Sequence, residues 1–268
     1  MSSKTTKSAP GTALLVKALN IVELVEEQAT LSRLTASDIA ELTSYPKSTV
    51  YRILQTLVDR DYLRLDSRDH AYELGKRFSN YSQHHILHTA INAAAYPLMN
   101  RLSSITGETV TLGVLEQKWV RILSRIDSAP GAPPQLVEIG PTRPLHCTSL
   151  GKALLAWHSV HKLEELLAQI DYEIITKKTI KDRKGLEQAL IKTRHAGYSI
   201  DDNEIITNVT CVGVPIKVED GDPIAAISIS APTSRMPAQR IESLAAELSS
   251  AANDIQKQTR PFISPDGD

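Results

Sequence analysis

Residues Tyr45–Leu63 read YPKSTVYRILQTLVDRDYL, and this stretch decides how the N-terminal part of the chain is interpreted. Its apolar residues recur at helical spacing and predict a helix with Pro46 in the first turn. These residues are Val50, Ile53, Leu54, Leu57 and Val58. The other face carries hydrogen-bonding side chains instead of the usual mixture of glutamate and lysine. They are Lys47, Ser48, Thr49, Tyr51, Arg52 and Gln55.

The flanking segments predict a winged helix-turn-helix. Upstream, ALLVKALNIVELVEE has helical spacing, with Leu15, Ala18, Leu19, Val22 and Val25 on one side. A second helix is expected in TASDIAELT, where Thr35 is the N-cap and Asp38 completes a capping box. Downstream, YLRLDSRDHAYEL alternates apolar and polar residues around a polar turn, as a β-hairpin does. Helix, short helix, turn, helix and hairpin in this order define the motif.

The polar face of the third helix suits the major groove of DNA. In this motif the second helix of the helix-turn-helix enters the groove, where arginine can bind guanine and glutamine can bind adenine. Arg64 and Arg68 in the hairpin add two positive charges on the wing. The sequence therefore predicts double-stranded operator DNA as a partner. A three-helix core with a solvated polar face is the alternative at this point.

Charge and composition limit the possibilities. The chain has 268 residues and a net charge of -1. Residues 1–79 carry 11 lysine and arginine residues against 10 aspartate and glutamate residues, so one module alone is expected to bind DNA weakly. There is no apolar run of transmembrane length and no signal-peptide core, and two cysteines do not form a disulfide framework. These features favour a cytoplasmic protein with no membrane partner.

The second part of the chain predicts a mainly antiparallel sheet, so the fold class is α+β. Strands are expected in ETVTLGVLE, WVRILSRI and QLVEIG, and a hairpin is expected across EDGD in CVGVPIKVEDGDPIAAISISA. The expected organisation is a disordered tail at 1–12, a DNA-binding domain at 13–74, a linker helix at 75–89, an effector-binding domain at 90–260 and a tail at 261–268.

Polar residues in this second part favour a small acid as ligand. Strand alternation places Ser228 and Ser230 on one face of AAISISA. A helix beginning at Ser149 offers free N–H groups to a carboxylate, and Asp201 or Asp202 can accept a ligand hydroxyl. This set suits a keto or hydroxy acid. Alternatively, the two serine hydroxyls only satisfy neighbouring backbone groups.

Catalytic and metal sites are not favoured. His146 and Cys147 are adjacent, and neighbours in sequence rarely face each other as base and nucleophile. TSLGKA lacks the upstream glycine of a phosphate-binding loop. His84 and His88 lie one helical turn apart, but no carboxylate or cysteine accompanies them. We expect no enzyme activity, no cofactor and no metal. The other hypothesis is a cytosolic small-carboxylate-binding or enzymatic protein whose N-terminal domain is an interaction module.

The sequence resembles the isocitrate-lyase-regulator (IclR) family of transcriptional regulators from about Leu14 to Gln256. The shared motifs, in order, are PKSTVYRILQTL, YELG, TGETVTLGVLE, PLHCTSLGKALLAW, GYSIDDNE and PIAAISISAPTSR. KSTVYRILQTL, SLGKALLAW and KKTI are closest to members that sense 2-keto-3-deoxygluconate. The resemblance implies a winged helix, a linker helix, an effector domain related to GAF and PAS folds, and dimers that often pair as tetramers. We expect a repressor of an operon for small-acid or sugar-acid catabolism.

The resemblance also implies an effector site. The matching positions are the backbone of Ser149 and Leu150 and the side chains of Asp201, Cys211, Ser228 and Ser230. One position departs from the family, which commonly has a glycine two or three residues before the cysteine, where this chain has Asn208. Asparagine tolerates left-handed backbone angles, so the loop is expected to keep its shape.

Overall fold

The computed structural model describes residues 12–28, 33–127, 142–217 and 221–262. Residues 1–11 and 263–268 of the two expected tails, and the expected strand QLVEIG, lie outside the described residues. The chain divides into two compact units, residues 1–85 and residues 86–268.

The first unit contains three helices and a small antiparallel sheet. In chain order these are α1 (Ala13–Gln28), β1 (Leu34–Thr35), α2 (Ala36–Thr43), α3 (Lys47–Asp59), β2 (Leu63–Leu65) and β3 (Ala71–Leu74). The strand order is β1-β3-β2, and β2 and β3 form the wing hairpin. The predicted winged helix-turn-helix is therefore confirmed.

Local interactions determine where α2 begins and how it turns into α3. The Thr35 side chain accepts from the Asp38 N–H at 3.4 Å, and the Asp38 carboxylate accepts from the Thr35 N–H at 2.8 Å, which confirms the capping box. Ser44 ends α2 with a left-handed backbone (φ 56°). Pro46 precedes α3, whose buried face consists of Val50, Ile53 and Leu54. The apolar stripe predicted for α3 is thus confirmed.

The face predicted for α1 is confirmed at Val25 and Ala18, which lie in or against the core, and is wrong at Leu15 and Leu19. The structure buries Ile21 and Val25, but Leu15 and Leu19 are 60% and 52% exposed. The reason is that apolar residues occur on almost every side of this helix, so spacing alone does not identify the one face that packs against the rest of the unit.

A single helix, α4 (Lys76–Thr106), covers the expected linker and continues 17 residues beyond it. The expected linker helix, residues 75–89, corresponds to the first part of α4. The second part packs against the sheet of the second unit and is fully buried at Ile91, Ala95 and Met99.

The second unit is built on one antiparallel sheet. Its strands are β4 (Thr109–Glu116), β5 (Trp119–Ile126), β6 (Thr142–Pro144), β7 (Ser199–Asp202), β8 (Val209–Lys217) and β9 (Pro223–Pro232). They lie in the order β6-β5-β4-β9-β8-β7. The α+β class and the hairpin formed by β8 and β9 are confirmed.

Helices cover both faces of this sheet. Besides α4 they are α5 (Ser149–Leu155), α6 (Val160–Leu167), α7 (Arg183–Ala196) and α8 (Ala238–Thr259). One core lies between the sheet and helices α4 and α8, and a second core lies on the other face with α5, α6 and α7. Within the described ranges, no helix is both long enough and apolar enough to cross a membrane.

Candidate DNA-binding surface and effector pocket

The polar face of α3 is accessible in the first unit. Lys47, Ser48, Tyr51, Arg52 and Gln55 are exposed, and Thr49 is half-buried beside them. Gln55 donates to the Asp59 carboxylate at 2.8 Å, so its amide is oriented along the helix. Six of the eight side chains predicted to contact DNA therefore lie on one helix, opposite its buried stripe.

The wing arginines are held by carboxylates of the same hairpin. Arg64 is ion-paired with Glu73, and Arg68 pairs with Asp66 at 2.7 Å. Hydrogen bonds from Arg68 and then Arg33 lower the pKa of Asp66 well below its usual range. The Arg64 and Arg68 side chains are still 64% and 80% exposed, so a phosphate would have to share them with these carboxylates.

Sequence reasoning missed Arg33, which completes this network. Arg33 reaches Asp66 at 2.6 Å, Asp69 at 2.6 Å and Glu73 at 2.8 Å. The three arginines of the wing region are thus matched by three carboxylates, which leaves the wing close to neutral. Arg33 precedes β1, and nothing in the sequence indicates that β1 pairs with β3.

In the second unit, polar residues line up in two rows across neighbouring strands. Pairing places Arg125 opposite Thr111, and Thr111 opposite Ser228. The second row joins Thr109, Ser230, Cys211 and Asp201, each opposite the next. Because paired residues point to the same face of a sheet, both rows face the α5 side.

Helix α5 approaches these rows because two glycines allow it. A Cβ on Gly213 of β8 would lie 3.0 Å from the backbone carbon of Ser149, and a Cβ on Gly151 would lie 2.3 Å from the Leu145 carbonyl oxygen. The Ser199 hydroxyl also donates to the Ser149 carbonyl at 2.6 Å. The start of α5 is therefore fixed directly over β8.

The first turn of α5 presents backbone donors. The Thr148 hydroxyl caps the helix by accepting from the Gly151 N–H at 3.0 Å, and the Thr148 carbonyl accepts from the Lys152 N–H at 3.0 Å. The N–H groups of Ser149 and Leu150 come earlier in the chain, at helix positions whose N–H groups have no acceptor within the helix. Both residues line a cavity with the two polar rows.

This cavity has a volume of about 60 Å³. It is lined by all six residues predicted for the effector site, namely Ser149, Leu150, Asp201, Cys211, Ser228 and Ser230. Ile122, Ile205 and Ile206 add apolar wall. Residues 128–141, which connect β5 to β6, are not among the described residues.

Asp201 is an unusual carboxyl group because it is only 1% exposed. It accepts from the Glu204 N–H at 2.7 Å. Burial raises its pKa to about 7, opposed by the positive charge of Lys152 and assisted by the negative charge of Glu204. Lys152 and Glu204 are themselves ion-paired and buried beside the cavity. Asp201 can thus act as an acceptor when ionised and as a donor when protonated.

Neither cysteine is suited to nucleophilic chemistry. Burial raises the pKa of Cys147 to about 12 and raises that of Cys211 well above its usual value. The thiolate is the reactive form, and it is scarce at neutral pH under these conditions. Cys211 therefore contributes wall to the cavity, where the negative charge of Asp201 further disfavours its ionisation.

Two cavity arginines were not predicted. Arg125 of β5 and Arg143 of β6 both line the cavity, together with Thr109 and Thr111. Arg125 pairs with Asp127 at 2.6 Å, and Arg143 donates to the Thr142 carbonyl at 2.9 Å. The alternation in WVRILSRI predicts on which face of the strand Arg125 lies, but it does not indicate that this face lines a cavity. Arg143 reaches the site only because β6 pairs with β5, which the sequence does not indicate.

An exposed polar helix within a winged helix-turn-helix on one unit, and a cavity with serine hydroxyls and a buried carboxyl group on the other, are typical of one class of protein, the ligand-responsive winged-helix transcription regulators. Comparison with known proteins agrees. Residues 14–67 match the IclR helix-turn-helix domain, and residues 83–257 match the C-terminal domain of bacterial IclR transcriptional regulators. The chain belongs to the IclR family.

Individual relatives are similar over nearly their whole length. The HTH-type transcriptional regulator BhcR of Paracoccus denitrificans is 31% identical, covering 91% of this chain and 86% of the relative. The regulator KdgR of Escherichia coli is 28% identical, covering 94% of each chain. An IclR homologue from Microbacterium hydrocarbonoxydans, solved with 4-hydroxybenzoate, is 27% identical with a TM-score of 0.59, covering 92% of this chain and 99% of that one.

These matches decide the class of protein. The chain is a DNA-binding, ligand-responsive transcription regulator, and its relatives are regulators and not enzymes. Its partners are operator DNA and a small-molecule effector. The hypothesis of an enzyme with an N-terminal interaction module is therefore wrong.

Proposed function

We propose that the chain is a repressor that reads its operator with α3 and is controlled by a small carboxylate bound in the cavity of the second unit. The observation that carries the first half is the set of six polar side chains on one face of α3, five of them exposed. Arg52 and Gln55 are the base readers, and Lys47, Ser48, Thr49 and Tyr51 position the helix on phosphates and sugars. Arg64 and Arg68 contribute less than free arginines because Glu73 and Asp66 hold them.

Arg52→Ala should weaken operator binding by about 1–3 kcal/mol and relax discrimination at one base pair, since a bidentate arginine–guanine contact is lost. Gel shifts on the operator and on single-base variants measure both effects. Arg60→Ala is the matched control because Arg60 is exposed at the end of α3 and lies outside the reader set. It removes the same charge but should leave base discrimination unchanged.

Changing Lys47, Thr49 and Arg52 together to alanine should abolish specific binding. If this triple variant still selects the operator over unrelated DNA, α3 is not the reading helix. Equal operator affinity of Arg52→Ala and the unmodified protein would remove Arg52 alone from the set.

We propose that the regulator binds DNA as a homodimer or homotetramer. Two observations support this. The first 79 residues are almost neutral, so one module neutralises few phosphates, and a dimer doubles the contacts. In addition, α1 leaves Leu14, Leu15 and Leu19 more than half exposed in the single chain. Apolar groups that cluster in this way on a surface commonly mark an interface with another protein.

The ligand that suits the polar groups of the cavity is a small keto or hydroxy acid, sugar acids included. The described residues line a cavity of about 60 Å³ and offer such an acid serine hydroxyls, the start of a helix and a buried carboxyl group. We propose that Ser228, Ser230 and the N–H groups of Ser149 and Leu150 bind a carboxylate, while Asp201 accepts a ligand hydroxyl. The operon controlled would then serve catabolism of such an acid.

The effect of the ligand on DNA binding should travel through α4, the covalent connection between the units. A ligand can shift DNA affinity only through states that differ in ligand affinity. A flexible Gly/Ser insertion between His85 and Ile86, at the boundary of the units, should leave ligand binding intact and abolish ligand-dependent operator release. An insertion directly after Gly75 is less suitable, because the Arg77 N–H bonds the Asp61 carbonyl at 3.2 Å within the first unit.

The control is the same insertion between Gly221 and Asp222, in the β8–β9 turn, which leaves α4 continuous. Calorimetry reports ligand binding, and gel shifts with added ligand report release. Operator release that persists unchanged with the insertion in α4 would mean that the signal passes through non-covalent contacts.

A further inference from the structure

A buried ion pair lies directly beside Asp201 of the effector cavity. Lys152 of α5 is ion-paired with Glu204, and the two side chains are 3% and 10% exposed. The Glu204 N–H donates to the Asp201 carboxylate at 2.7 Å. Asp201 lines the cavity, whereas Lys152 and Glu204 lie behind the lining. The pair can therefore act on a bound ligand through Asp201 without touching the ligand.

Several contacts hold Glu204 in this position. Its carbonyl accepts from the Thr179 hydroxyl at 2.6 Å and from the Thr176 hydroxyl at 3.2 Å. Its carboxylate also accepts from the Asp202 N–H at 3.4 Å. Lys152 belongs to α5, the helix whose first turn lines the cavity. Both charges of the pair are thus fixed in position relative to Asp201.

The two charges act on Asp201 in opposite directions. Burial raises the pKa of Asp201 to about 7, the positive charge of Lys152 lowers it, and the negative charge of Glu204 raises it. Hydrogen bonds from the backbone of Glu204 and Ile205 favour the ionised form. Both protonation states of Asp201 are therefore populated near neutral pH.

Other titratable or charged groups also surround Asp201. They are Asp202 on β7, Cys211 on β8, His146 and Cys147 before α5, and Arg125 and Arg143 on β5 and β6. Burial raises the pKa values of both thiols and lowers that of His146, so these three groups are neutral near pH 7. Asp202 is ion-paired with Lys178 at 2.7 Å, and arginine side chains stay cationic at these pH values. The pair and Asp201 itself are thus the groups that decide the charge of this carboxyl group.

The charge of Asp201 decides which ligand oxygen it can bind. An ionised carboxylate only accepts hydrogen bonds, so it binds a ligand hydroxyl and repels the lone pairs of a keto oxygen. A protonated carboxyl group can donate to the keto oxygen instead. A carboxylate has about four acceptor positions, so the backbone donors of Glu204 and Ile205 leave capacity for a ligand.

We propose that the Lys152–Glu204 pair sets the charge of Asp201 and thereby determines whether the cavity prefers a hydroxy acid or the matching keto acid. This inference rests on the proposed small-acid function of the cavity. Lys152 and Glu204 are positioning residues, because they act through Asp201. The hydroxy acid is favoured where Asp201 is ionised, and the keto acid is favoured at lower pH, where Asp201 is protonated.

Calorimetry on the full-length protein tests the preference with matched pairs of acids. Lactate and pyruvate have the same carbon skeleton and charge, and they differ in a hydroxyl or keto oxygen. Glycerate with hydroxypyruvate, and gluconate with 2-ketogluconate, extend the comparison to larger acids. The ratio of hydroxy-acid to keto-acid affinity should rise about ten- to a hundredfold from about pH 5.5 to about pH 8.5. In Asp201→Asn, which does not titrate, the ratio should not change with pH.

A ligand-free measurement follows the titration of Asp201 itself. Carbon NMR of protein labelled at the aspartate carboxyl carbons gives the pH at which half of Asp201 is protonated, and Asp201→Asn assigns the signal. This midpoint should move to higher pH in Lys152→Met and to lower pH in Glu204→Gln, because each variant removes one of two opposing charges. The preference between the acids should move with the midpoint. Lys152→Arg keeps the charge and should keep the midpoint.

Two further sets of variants complete the experiment. Lys152→Met combined with Glu204→Gln removes both charges without leaving either one unpaired, so it should fold even if a single variant does not, and its midpoint should lie between those of the single variants. Lys162→Met and Glu165→Gln are the matched controls. These residues form an exposed pair at 3.1 Å outside the cavity lining, so the midpoint and the affinity ratio should stay unchanged.

The outcomes separate this inference from the function on which it rests. A midpoint that is the same in Lys152→Met, Glu204→Gln and the unmodified protein would overturn the role of the pair. An affinity ratio that is constant with pH, for acids whose binding is lost in Ser228→Ala with Ser230→Ala, would overturn the inference and leave the small-acid site standing. If none of these acids binds, the small-acid proposal fails and the inference about acid preference fails with it.

Discussion

Replacing both Ser228 and Ser230 by alanine should weaken binding of the small-acid effector by about two to four powers of ten. The two residues are 2% and 9% exposed and face the cavity from β9. A carboxylate that enters such a site loses its water and needs charge-assisted donors in return, each contributing about 1.5–3 kcal/mol. The loss of two such donors gives the expected two to four powers of ten in affinity, because each power of ten corresponds to about 1.4 kcal/mol of binding free energy.

The double variant should still fold. Alanine is compatible with the strand geometry and with the apolar wall nearby. The two hydroxyl groups are removed and are not left buried without a partner. Ser124→Ala combined with Ser249→Ala is the control, because these serines lie outside the cavity on β5 and α8. Circular dichroism and thermal melts establish folding, and calorimetry measures affinity. Unchanged affinity in the Ser228 and Ser230 variant would place the carboxylate elsewhere.

Much of this site was within reach of the sequence because it depends on local patterns. Alternation placed Ser228 and Ser230 on one face, and the predicted start of a helix at Ser149 agrees with α5. The family resemblance then added Leu150 and Cys211. The departure at Asn208 also follows local rules. The residue adopts a left-handed backbone (φ 64°), and its N–H donates to the Asn203 side chain at 2.6 Å.

What the sequence did not indicate depends on strand pairing across long separations. Arg143 enters the cavity because β6 adds to the edge of the sheet, and Arg33 neutralises the wing because β1 pairs with β3. Neither pairing leaves a periodic signal in strands of two or three residues. The face predicted for α1 was wrong at Leu15 and Leu19 because a helix with apolar residues on nearly all sides does not specify which side is buried.

The length of α4 shows a third kind of difficulty. Its sequence contains Pro97, which normally argues for a helix end or kink, yet the helix runs on to Thr106. Tertiary packing outweighs this local preference, because Ile91, Ala95 and Met99 are buried against the sheet. Local propensity was therefore reliable where the chain caps or turns, and unreliable where burial supplies most of the free energy.

Asp201→Asn should stabilise the ligand-free protein above pH 7, by about 4 kcal/mol if the pKa of about 7 is compared with the ordinary 3.8. The folded protein binds the Asp201 proton more tightly than the unfolded chain does. The stability that this proton provides is fully present below pH 3.8 and is lost as the pH rises through 7. Asparagine does not titrate, so the difference in melting temperature between the two proteins should grow from pH 5 to pH 8.

Thermal melts across this pH range measure the difference. A change of about 4 kcal/mol corresponds to about 8–16 °C for a unit of this size. Asp202→Asn is the matched control on the adjacent residue, because a hydrogen bond from Lys178 lowers the pKa of Asp202 instead of raising it. This control should destabilise the protein at neutral pH. Parallel melting curves of Asp201→Asn and the unmodified protein from pH 5 to pH 8 would mean that Asp201 titrates as an ordinary carboxyl group.

The same variant should lose effector affinity while it gains stability. An ionised carboxylate accepts a hydrogen bond from a ligand hydroxyl more strongly than an amide oxygen does, so a hydroxy acid should bind Asp201→Asn more weakly at pH 8. Opposite signs for stability and affinity are expected where a buried charge serves binding and not folding. If Asp201→Asn raised the melting temperature and left affinity for the hydroxy acid unchanged, Asp201 would be a buried charge of the cavity wall without contact to the ligand.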